Sequence, residues 1–148
     1  MQVQAGRDGR QRPLMLLTHN VQGITTAEKA YKCVSAWHRA GAHVVCVQET
    51  WVDRIRQQGQ SQAEVELWLQ QAAARLQMND MQVWFANNTL ASEHKAGVAI
   101  VLLHSHVLLE QVQVDIKSAT PDGRLMACDL RWAGHHFTIL NTYWPSEH

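Results

Sequence analysis

Three polar side chains stand at the ends of apolar runs that are typical of buried strands. Asn20 ends LMLLTHN, Glu49 lies within CVQET, and Tyr143 lies within LNTYWP. A carboxylate there can hold a hard divalent cation, because magnesium prefers oxygen ligands. An amide can orient a phosphate or a water, and a phenol can donate to a phosphate oxygen as charge develops. The three together favour metal-assisted chemistry on phosphate, whereas each alone is more typical of a strand cap.

One helix and two strands are predicted in the first fifty residues. Residues 14–20 alternate as a strand does, and VVCV at 44–47 has the continuous apolar character of a strand covered on both faces. Between them, Thr25 and Glu28 form a capping-box pattern for a helix that Gly41 ends. Its buried stripe is expected to be Ala30, Cys33, Val34 and Trp37.

The remainder predicts one more helix and then a run of strands. A helix over 62–77 is followed by strands in QVWFA, in GVAIVLL and in VLLEQVQVDI. A tight turn at 121–123 precedes a hairpin of RLMACDLRW and HHFTILNTY around Gly134. The order indicates a mixed α/β class, with helices covering one face of a sheet and a parallel first crossover.

Composition bounds the class of protein and its partners. The 148 residues are 46% apolar, which fits one globular domain, and no apolar run is long enough to cross a bilayer. The formal charge of zero argues against tight non-specific DNA binding by this chain alone. Residues 1–13 carry three arginines and are expected to be a disordered basic tail before a domain at 14–148. Three widely spaced cysteines favour a reducing, intracellular compartment, nuclear or cytoplasmic.

Five spaced segments carry a family resemblance. THNVQG, VVCVQETW, KAGVAIVL, DGRLMACDL and ILNTYWP resemble, in order and spacing, the N-terminal part of the endonuclease/exonuclease/phosphatase superfamily. The chain looks most similar to the endonuclease domains of LINE-like (non-LTR) retrotransposons. The resemblance implies the N-terminal portion of a four-layer α/β sandwich, a Mg²⁺- or Mn²⁺-dependent phosphodiesterase activity, and DNA as the partner.

The same resemblance implies roles for six residues. Asn20 and Tyr143 match catalytic positions near the scissile phosphate, and Glu49 matches the metal-binding glutamate. Gln48, Asn141 and Arg124 match positions near the substrate, and for Arg124 a structural salt bridge at a strand start is an equal alternative.

Two motifs that the superfamily resemblance leads one to expect are absent from the sequence. There is no G-D-x-N segment, and His148 does not follow an aspartate. We therefore expect a truncated domain with half a site, weak or absent metal binding, and self-association through an uncovered sheet face. Two alternatives stay open: a catalytically inactive remnant or binding fragment, and a phosphatase of the same superfamily that acts on a small molecule or lipid.

Other side chains with chemical potential favour plainer interpretations. His104 and His106 have a spacing compatible with zinc, but no third ligand is evident nearby, and solvated histidines are expected. Trp51 and Trp144 adjoin proposed site residues, where packing is expected over stacking on a base.

Overall fold

The computed structural model describes residues 14–52, 61–78, 81–89, 96–103, 112–132 and 134–144. These residues form two helices and seven strands. In chain order the elements are β1 (Leu16–Asn20), α1 (Ala27–Arg39), β2 (Val44–Gln48), α2 (Gln62–Arg75), β3 (Met81–Ala86), β4 (Val98–Leu103), β5 (Val112–Ala119), β6 (Leu125–Trp132) and β7 (His135–Thr142).

The first sheet has four strands in the order β1-β2-β4-β3. β1 and β2 run parallel and are joined through α1, as the alternating sequence pattern predicts. β4 pairs antiparallel with β2 on one side and with β3 on the other. All six β4 side chains are buried, so this central strand is covered on both faces.

Both helices pack on one face of this sheet. The predicted stripe of α1 is fully buried, and Trp37 is the largest side chain in it. α2 buries Val65, Leu69 and Ala72 against the same core, while Trp68 and Leu76 are partly buried at its margin. Helix periodicity in the sequence thus identified both buried faces, and helices covering one sheet face are confirmed.

Thr26, and not the predicted Thr25, caps α1. Thr26 has an extended backbone with φ −144°, and its hydroxyl accepts from the amide of Lys29 at 3.0 Å. The capping box with Glu28 is therefore wrong, because the helix begins one residue later and Lys29 takes the third helical position. At the other end, Gly41 adopts φ +72° just after the C-cap, as predicted for a helix stop.

A second, antiparallel sheet of order β5-β6-β7 covers the other face of the first. The inward side chains of β6 form a core with inward side chains of β2 and β4, the most buried being Val44, Val98, Ile100, Leu102, Met126, Cys128 and Leu130. The predicted β6–β7 hairpin is confirmed. The described residues form three layers, helices on sheet on sheet, which is the expected α/β arrangement of part of a four-layer sandwich.

Strand β1 extends beyond the cover of the second sheet. β7 contacts β2 and β4, while the β1 side chains on that face are exposed, with Leu16 at 53% and Thr18 and Asn20 also open. An uncovered apolar sheet face stays a prediction, because Thr18 and Asn20 on this side of β1 are polar. Self-association through it stays a prediction.

The turn between β5 and β6 is held by its own side chains. We call Asn88, Thr120, Asp122 and Gly123 the turn cluster. Thr120 Oγ1 donates to Asp122 Oδ1 at 2.6 Å, and the same oxygen accepts from the Arg124 amide at 3.2 Å. The backbones of Asp122 and Asn88 form an isolated antiparallel β-bridge, and the Gly97 amide donates to the Gly123 carbonyl at 3.0 Å. The predicted tight turn is confirmed, and it ties the two sheets together.

Neither helix in the described ranges is long and apolar enough to cross a membrane. The basic tail at 1–13 and the His104–His106 pair lie outside the described residues.

Candidate active site

The structure brings five of the six predicted side chains to one edge of the sandwich. We call Asn20, Gln48, Glu49, Asn141 and Tyr143 the strand-end cluster. β1 ends at Asn20 and β2 ends at Gln48, and these two residues are register partners in the parallel pair. Asn141 is the penultimate residue of β7, and Tyr143 follows that strand. Parallel strands end at a common edge, which is where open α/β sheets place their sites.

Glu49 reaches the cluster because its backbone departs from strand geometry. Successive strand side chains point to opposite faces, so Gln48 and Glu49 would normally be separated by the sheet. Glu49 instead has φ +56°, in the left-handed region that is uncommon for a residue with a side chain. Its carbonyl accepts from the Gly23 amide at 2.7 Å, and the Thr50 amide donates to the Gly97 carbonyl at 3.1 Å, so both flanking loops hold this conformation.

Tyr143 and Glu49 are joined across the two sheets. The Tyr143 hydroxyl donates to Glu49 Oε1 at 2.6 Å, the short length typical of a phenol bonded to an ionised carboxylate. Within the described ranges, Glu49 Oε2 takes part in no hydrogen bond of its own. The carboxylate therefore has one oxygen fixed by the phenol and one available to a ligand.

A chain of amides links Asn141 to Gln48. Asn141 is buried, with 2% of its surface exposed. Its Nδ2 donates to the carbonyl oxygens of Val47 at 3.1 Å and Ala99 at 2.8 Å. Its Oδ1 accepts from Gln48 Nε2 at 2.8 Å. Gln48 Nε2 also lies 3.0 Å from Thr18 Oγ1 and 3.0 Å from the Cys46 carbonyl oxygen, so three acceptors surround its two hydrogens. The predicted pair is thus brought together, with Asn141 enclosed and Gln48 half exposed.

Asn20 is exposed and its amide orientation is set by the backbone. The amide N–H of Gln22 donates to Asn20 Oδ1 at 3.1 Å. A backbone N–H can only donate, so the Nδ2 group of Asn20 must be the end that is turned away. Asn20 therefore presents two donor hydrogens beside Gln48, which suits an anion better than a metal ion.

Arg124 directly precedes β6, next to Asp122 of the turn cluster. Its carbonyl accepts from the Tyr143 amide at 2.7 Å, so its backbone helps to place the tyrosine. Its Nε is 4.0 Å from Asp122 Oδ2, within the turn cluster. This position fits the predicted alternative of a structural ion pair, and a substrate contact stays a prediction.

The two tryptophans beside the cluster differ in environment. A Cβ placed on Gly23 would lie 2.2 Å from the Trp51 ring, so the indole packs directly on that glycine, whose φ is +90°. Only glycine is compatible with this contact, and packing is the main role of Trp51. Trp144 is 75% exposed. Packing was expected there as well, and the described residues do not bury the Trp144 indole.

Two partly buried groups near the cluster are held neutral. The Trp37 indole N–H donates to His19 Nδ1 at 3.0 Å. Burial, followed by the charge of Lys29, lowers the pKa of His19, so the ring stays neutral near pH 7. Burial raises the pKa of Cys46, two residues before Gln48, to about 11. These groups support β1 and β2 without adding charge to the site.

The donor set fits at most a loosely held cation. Glu49 supplies one carboxylate with a free oxygen, and a hard cation accepts such an oxygen ligand. In the part of the chain that the structure describes, no group of three His, Cys, Asp or Glu side chains is arranged to hold a metal. A magnesium ion at Glu49 would keep most of its water, since Asn20 offers donors.

Solved structures share this arrangement of elements. The alignment with an endonuclease/exonuclease/phosphatase family protein from Leptotrichia buccalis covers 90% of this chain, with a TM-score of 0.59 and 14% sequence identity. The chain has the endonuclease/exonuclease/phosphatase fold. The alignment with an AP endonuclease, LMAP from Leishmania major, covers 86% of this chain, with a TM-score of 0.56 and 13% sequence identity. No family model and no curated protein sequence matches.

The chain spans 54% of the first of these structures and 38% of the second. The fold predicted from the five sequence segments is confirmed at this level. Sequence identities this low establish the endonuclease/exonuclease/phosphatase fold of the described residues and leave the roles of individual residues as predictions.

Sequence reasoning missed three residues that shape the cluster. Thr18 and Gln22 hold the amides of Gln48 and Asn20, and Gly23 receives the Trp51 ring. A signal existed for Gly23, since Gln22-Gly23 directly after a strand is a turn pattern. The hydrogen bonds of Thr18 with Gln48 and of Gln22 with Asn20 depend on how the side chains are placed in the fold, and no sequence pattern predicts them.

Proposed function

We propose that this chain supplies part of the active site of a metal-dependent phosphodiesterase. The observation that carries the proposal is the bond between the Tyr143 hydroxyl and the Glu49 carboxylate, 2.6 Å long, at the strand ends of two different sheets. A carboxylate and a phenol from separate layers meet there beside the exposed amide of Asn20.

Each side chain has a distinct task in this proposal. The free oxygen of Glu49 would hold Mg²⁺ or Mn²⁺, which supplies a Lewis acid for the phosphate when bound. Asn20 donates its Nδ2 hydrogens to a non-bridging phosphate oxygen. Tyr143 holds Glu49 in place and donates to a phosphate oxygen where charge develops. Gln48 and Asn141 support the site from β2 and β7.

DNA is the substrate class we propose, in the setting of a LINE-like retroelement and an intracellular compartment. The five sequence segments support this setting, and one of the two similar structures is described as an AP endonuclease. The exposed Trp144 indole beside Tyr143 offers a plane on which a base can stack. Inositol phosphates or phospholipids, the alternative substrates, have no base to stack.

A second candidate is a binding fragment without catalysis. It is favoured by the single carboxylate in the strand-end cluster, since no three-ligand metal group exists among the described residues. Water activation and charge neutralisation both need groups beyond Glu49, Asn20 and Tyr143. For the 148 residues alone we therefore expect phosphate binding without turnover.

Manganese titration with NMR detection tests the metal role. Mn²⁺ should broaden the signals of Glu49, Asn20 and Tyr143, with millimolar affinity, because a cation held by one carboxylate keeps most of its water. Glu49→Gln should abolish the local broadening, while Glu64→Gln, which removes a charge from the exposed start of α2, should leave it unchanged. Tight binding that survives Glu49→Gln would show that other groups are the ligands.

Substrate class and turnover are tested with the same protein. A short DNA duplex with Mg²⁺ should shift Trp144 and Asn20, whereas an inositol phosphate should shift Asn20 alone. Supercoiled plasmid should stay closed with Mg²⁺ or Mn²⁺, since residues that act as a unit lose nearly all acceleration when several are missing. Nicking that Glu49→Ala or Tyr143→Phe removes would contradict the binding-fragment candidate and establish that these residues suffice.

A further inference from the structure

We propose that Asn141 is a positioning residue that fixes the side-chain amide of Gln48. In this arrangement Gln48 Oε1 is the acceptor for a hydrogen of the water bound beside Glu49. The inference rests on the proposed function for the identity of that ligand, but the orientation of the two amides follows from hydrogen-bond chemistry alone.

The orientation of Asn141 is forced by the first sheet. One end of its amide lies 3.1 Å from the Val47 carbonyl oxygen and 2.8 Å from the Ala99 carbonyl oxygen. Carbonyl oxygens only accept, so this end must be the NH₂ group, and both of its hydrogens are engaged. Rotating the amide by 180° would place an oxygen against two buried oxygens, which is strongly unfavourable.

The orientation of Gln48 then follows from that of Asn141. Asn141 Oδ1 lies 2.8 Å from one end of the Gln48 amide, so that end must be Nε2. The Cys46 carbonyl oxygen, 3.0 Å from the same end of the amide, also requires a donor there. The other end, Oε1, is left as an acceptor, and within the described ranges it has no hydrogen bond of its own. The half-exposed Gln48 thus has a fixed polarity, with Nε2 facing Asn141, Cys46 and Thr18 and Oε1 at the opposite end of the amide.

This polarity matters because of what stands beside it. Asn20, the register partner of Gln48, presents donors, and Glu49 presents a carboxylate oxygen. A phosphate oxygen would meet the donors of Asn20, and a water at Glu49 would find an acceptor in Gln48. A hydrated cation carries only donor hydrogens on its water, so an outward Nε2 would repel it, while Oε1 accepts from it.

The orientation is tested first without any substitution. In protein labelled with ¹³C and ¹⁵N, couplings through the hydrogen bonds should connect Asn141 Nδ2 with the carbonyl carbons of Val47 and Ala99. The Gln48 Nε2 hydrogens should exchange with solvent about tenfold more slowly than those of the exposed Gln82. Missing couplings together with fast exchange at Gln48 would overturn the proposal.

A matched pair of variants separates the effect of Asn141 from that of Thr18, another side-chain partner of Gln48. Asn141→Ser removes the oxygen that holds Gln48, and the Gln48 Nε2 exchange rate should rise about tenfold, to that of Gln82. Thr18→Val removes the exposed acceptor and should leave the Gln48 exchange rate within about twofold of the original. Circular dichroism and backbone spectra confirm folding. The proposal would be overturned if the Gln48 Nε2 hydrogens exchanged as slowly in Asn141→Ser as in the original protein. It would also be overturned if only Thr18→Val made them exchange faster.

The acceptor role is tested with hexaamminecobalt(III), an inert cation whose ammine hydrogens only donate. The cation should shift the NMR signal of the Gln48 side chain in the original protein and in Thr18→Val. In Asn141→Ser it should still shift the Glu49 signal but no longer the Gln48 signal. A shift at Glu49 without one at Gln48 would overturn this inference and leave the proposed metal role of Glu49 standing. No shift at either residue would overturn both.

Discussion

The strand-end cluster and the turn cluster are both held together by hydrogen bonds of polar side chains, but they differ in how much hydrogen-bonding capacity remains among the described residues. In the turn cluster, Asp122 Oδ1 accepts from the Thr120 hydroxyl and from the Arg124 amide, and Thr120 accepts in turn from the Leu125 amide. These bonds are local, and they close a turn. In the strand-end cluster, bonds reach between residues more than ninety positions apart.

The difference lies in the remaining hydrogen-bonding capacity. Among the residues that the structure describes, Glu49 Oε2, Gln48 Oε1 and Asn20 Nδ2 have no hydrogen-bond partner, while a partner fixes the other end of each group. A side chain held at one end and open at the other is pre-oriented for a ligand, whereas the turn cluster uses its polar groups to satisfy the chain itself. This contrast distinguishes the two clusters better than burial or charge does.

The largest expected effect comes from breaking the strand-end cluster at its buried amide. Asn141→Leu should lower the free energy of unfolding by about 3 kcal/mol, because the buried carbonyls of Val47 and Ala99 and the half-exposed amide of Gln48 each lose a hydrogen-bond partner. Thr142→Val, one residue along on the exposed side of β7, should change it by less than about 0.5 kcal/mol. Urea unfolding measures both. Similar values for the two variants would show that Asn141 contributes no more than its exposed neighbour.

The next effect tests the turn cluster by steric means. Gly123→Ala should cost about 2–3 kcal/mol, because φ is +70° and the new Cβ would lie 2.6 Å from the backbone nitrogen of Asn88. Gly134→Ala shares the positive φ, at +80°, but has no atom within 4 Å, so it should cost about 1 kcal/mol. The difference in unfolding free energy isolates the contact between the turn and Asn88. If the two costs are equal, backbone conformation alone explains both, and the turn does not clamp the sheets.

The smallest effect concerns the backbone of Glu49. Glu49→Ala and Glu49→Gly both remove the carboxylate and its bond to Tyr143, but only alanine retains the cost of φ +56°. We expect the glycine variant to be more stable than the alanine variant by about 1 kcal/mol. Thermal unfolding of the pair gives the comparison directly. An alanine variant at least as stable as the glycine variant would mean that residue 49 relaxes out of the left-handed region once its side chain is gone.

Much of the architecture was predictable because its determinants are local. The apolar stripes of α1 and α2 give their buried faces, and the continuous apolar run at 44–47 gives a central strand. The positions of Asn20, Glu49 and Tyr143 at strand ends followed from the same patterns. The cap at Thr26 was missed by one residue, since adjacent threonines compete for one position and the extended backbone at Thr26 decides between them.

What the sequence could not supply is the set of contacts between layers. The contacts of Gln48 with Asn141 and of Glu49 with Tyr143 depend on which part of β7 crosses β2. The register of the β6–β7 hairpin determines this crossing point, and only once both sheets have formed. The left-handed backbone at Glu49 is equally hidden, because glutamate has no preference for it and the loops at Gly23 and Gly97 impose it.

The strand order β1-β2-β4-β3 also constrains how the chain assembles. β3 leaves the ribosome before β4, yet it has no place in the sheet until β4 lies beside β2. β3 and β4 are neighbours in sequence and antiparallel, so their pairing is of short range and is favoured early. We therefore expect this hairpin to dock as a unit onto a preformed β1–α1–β2 segment. The open edge of β2 is then a short-lived site at which nascent chains could pair wrongly, and the rate of hairpin docking decides how long that risk lasts.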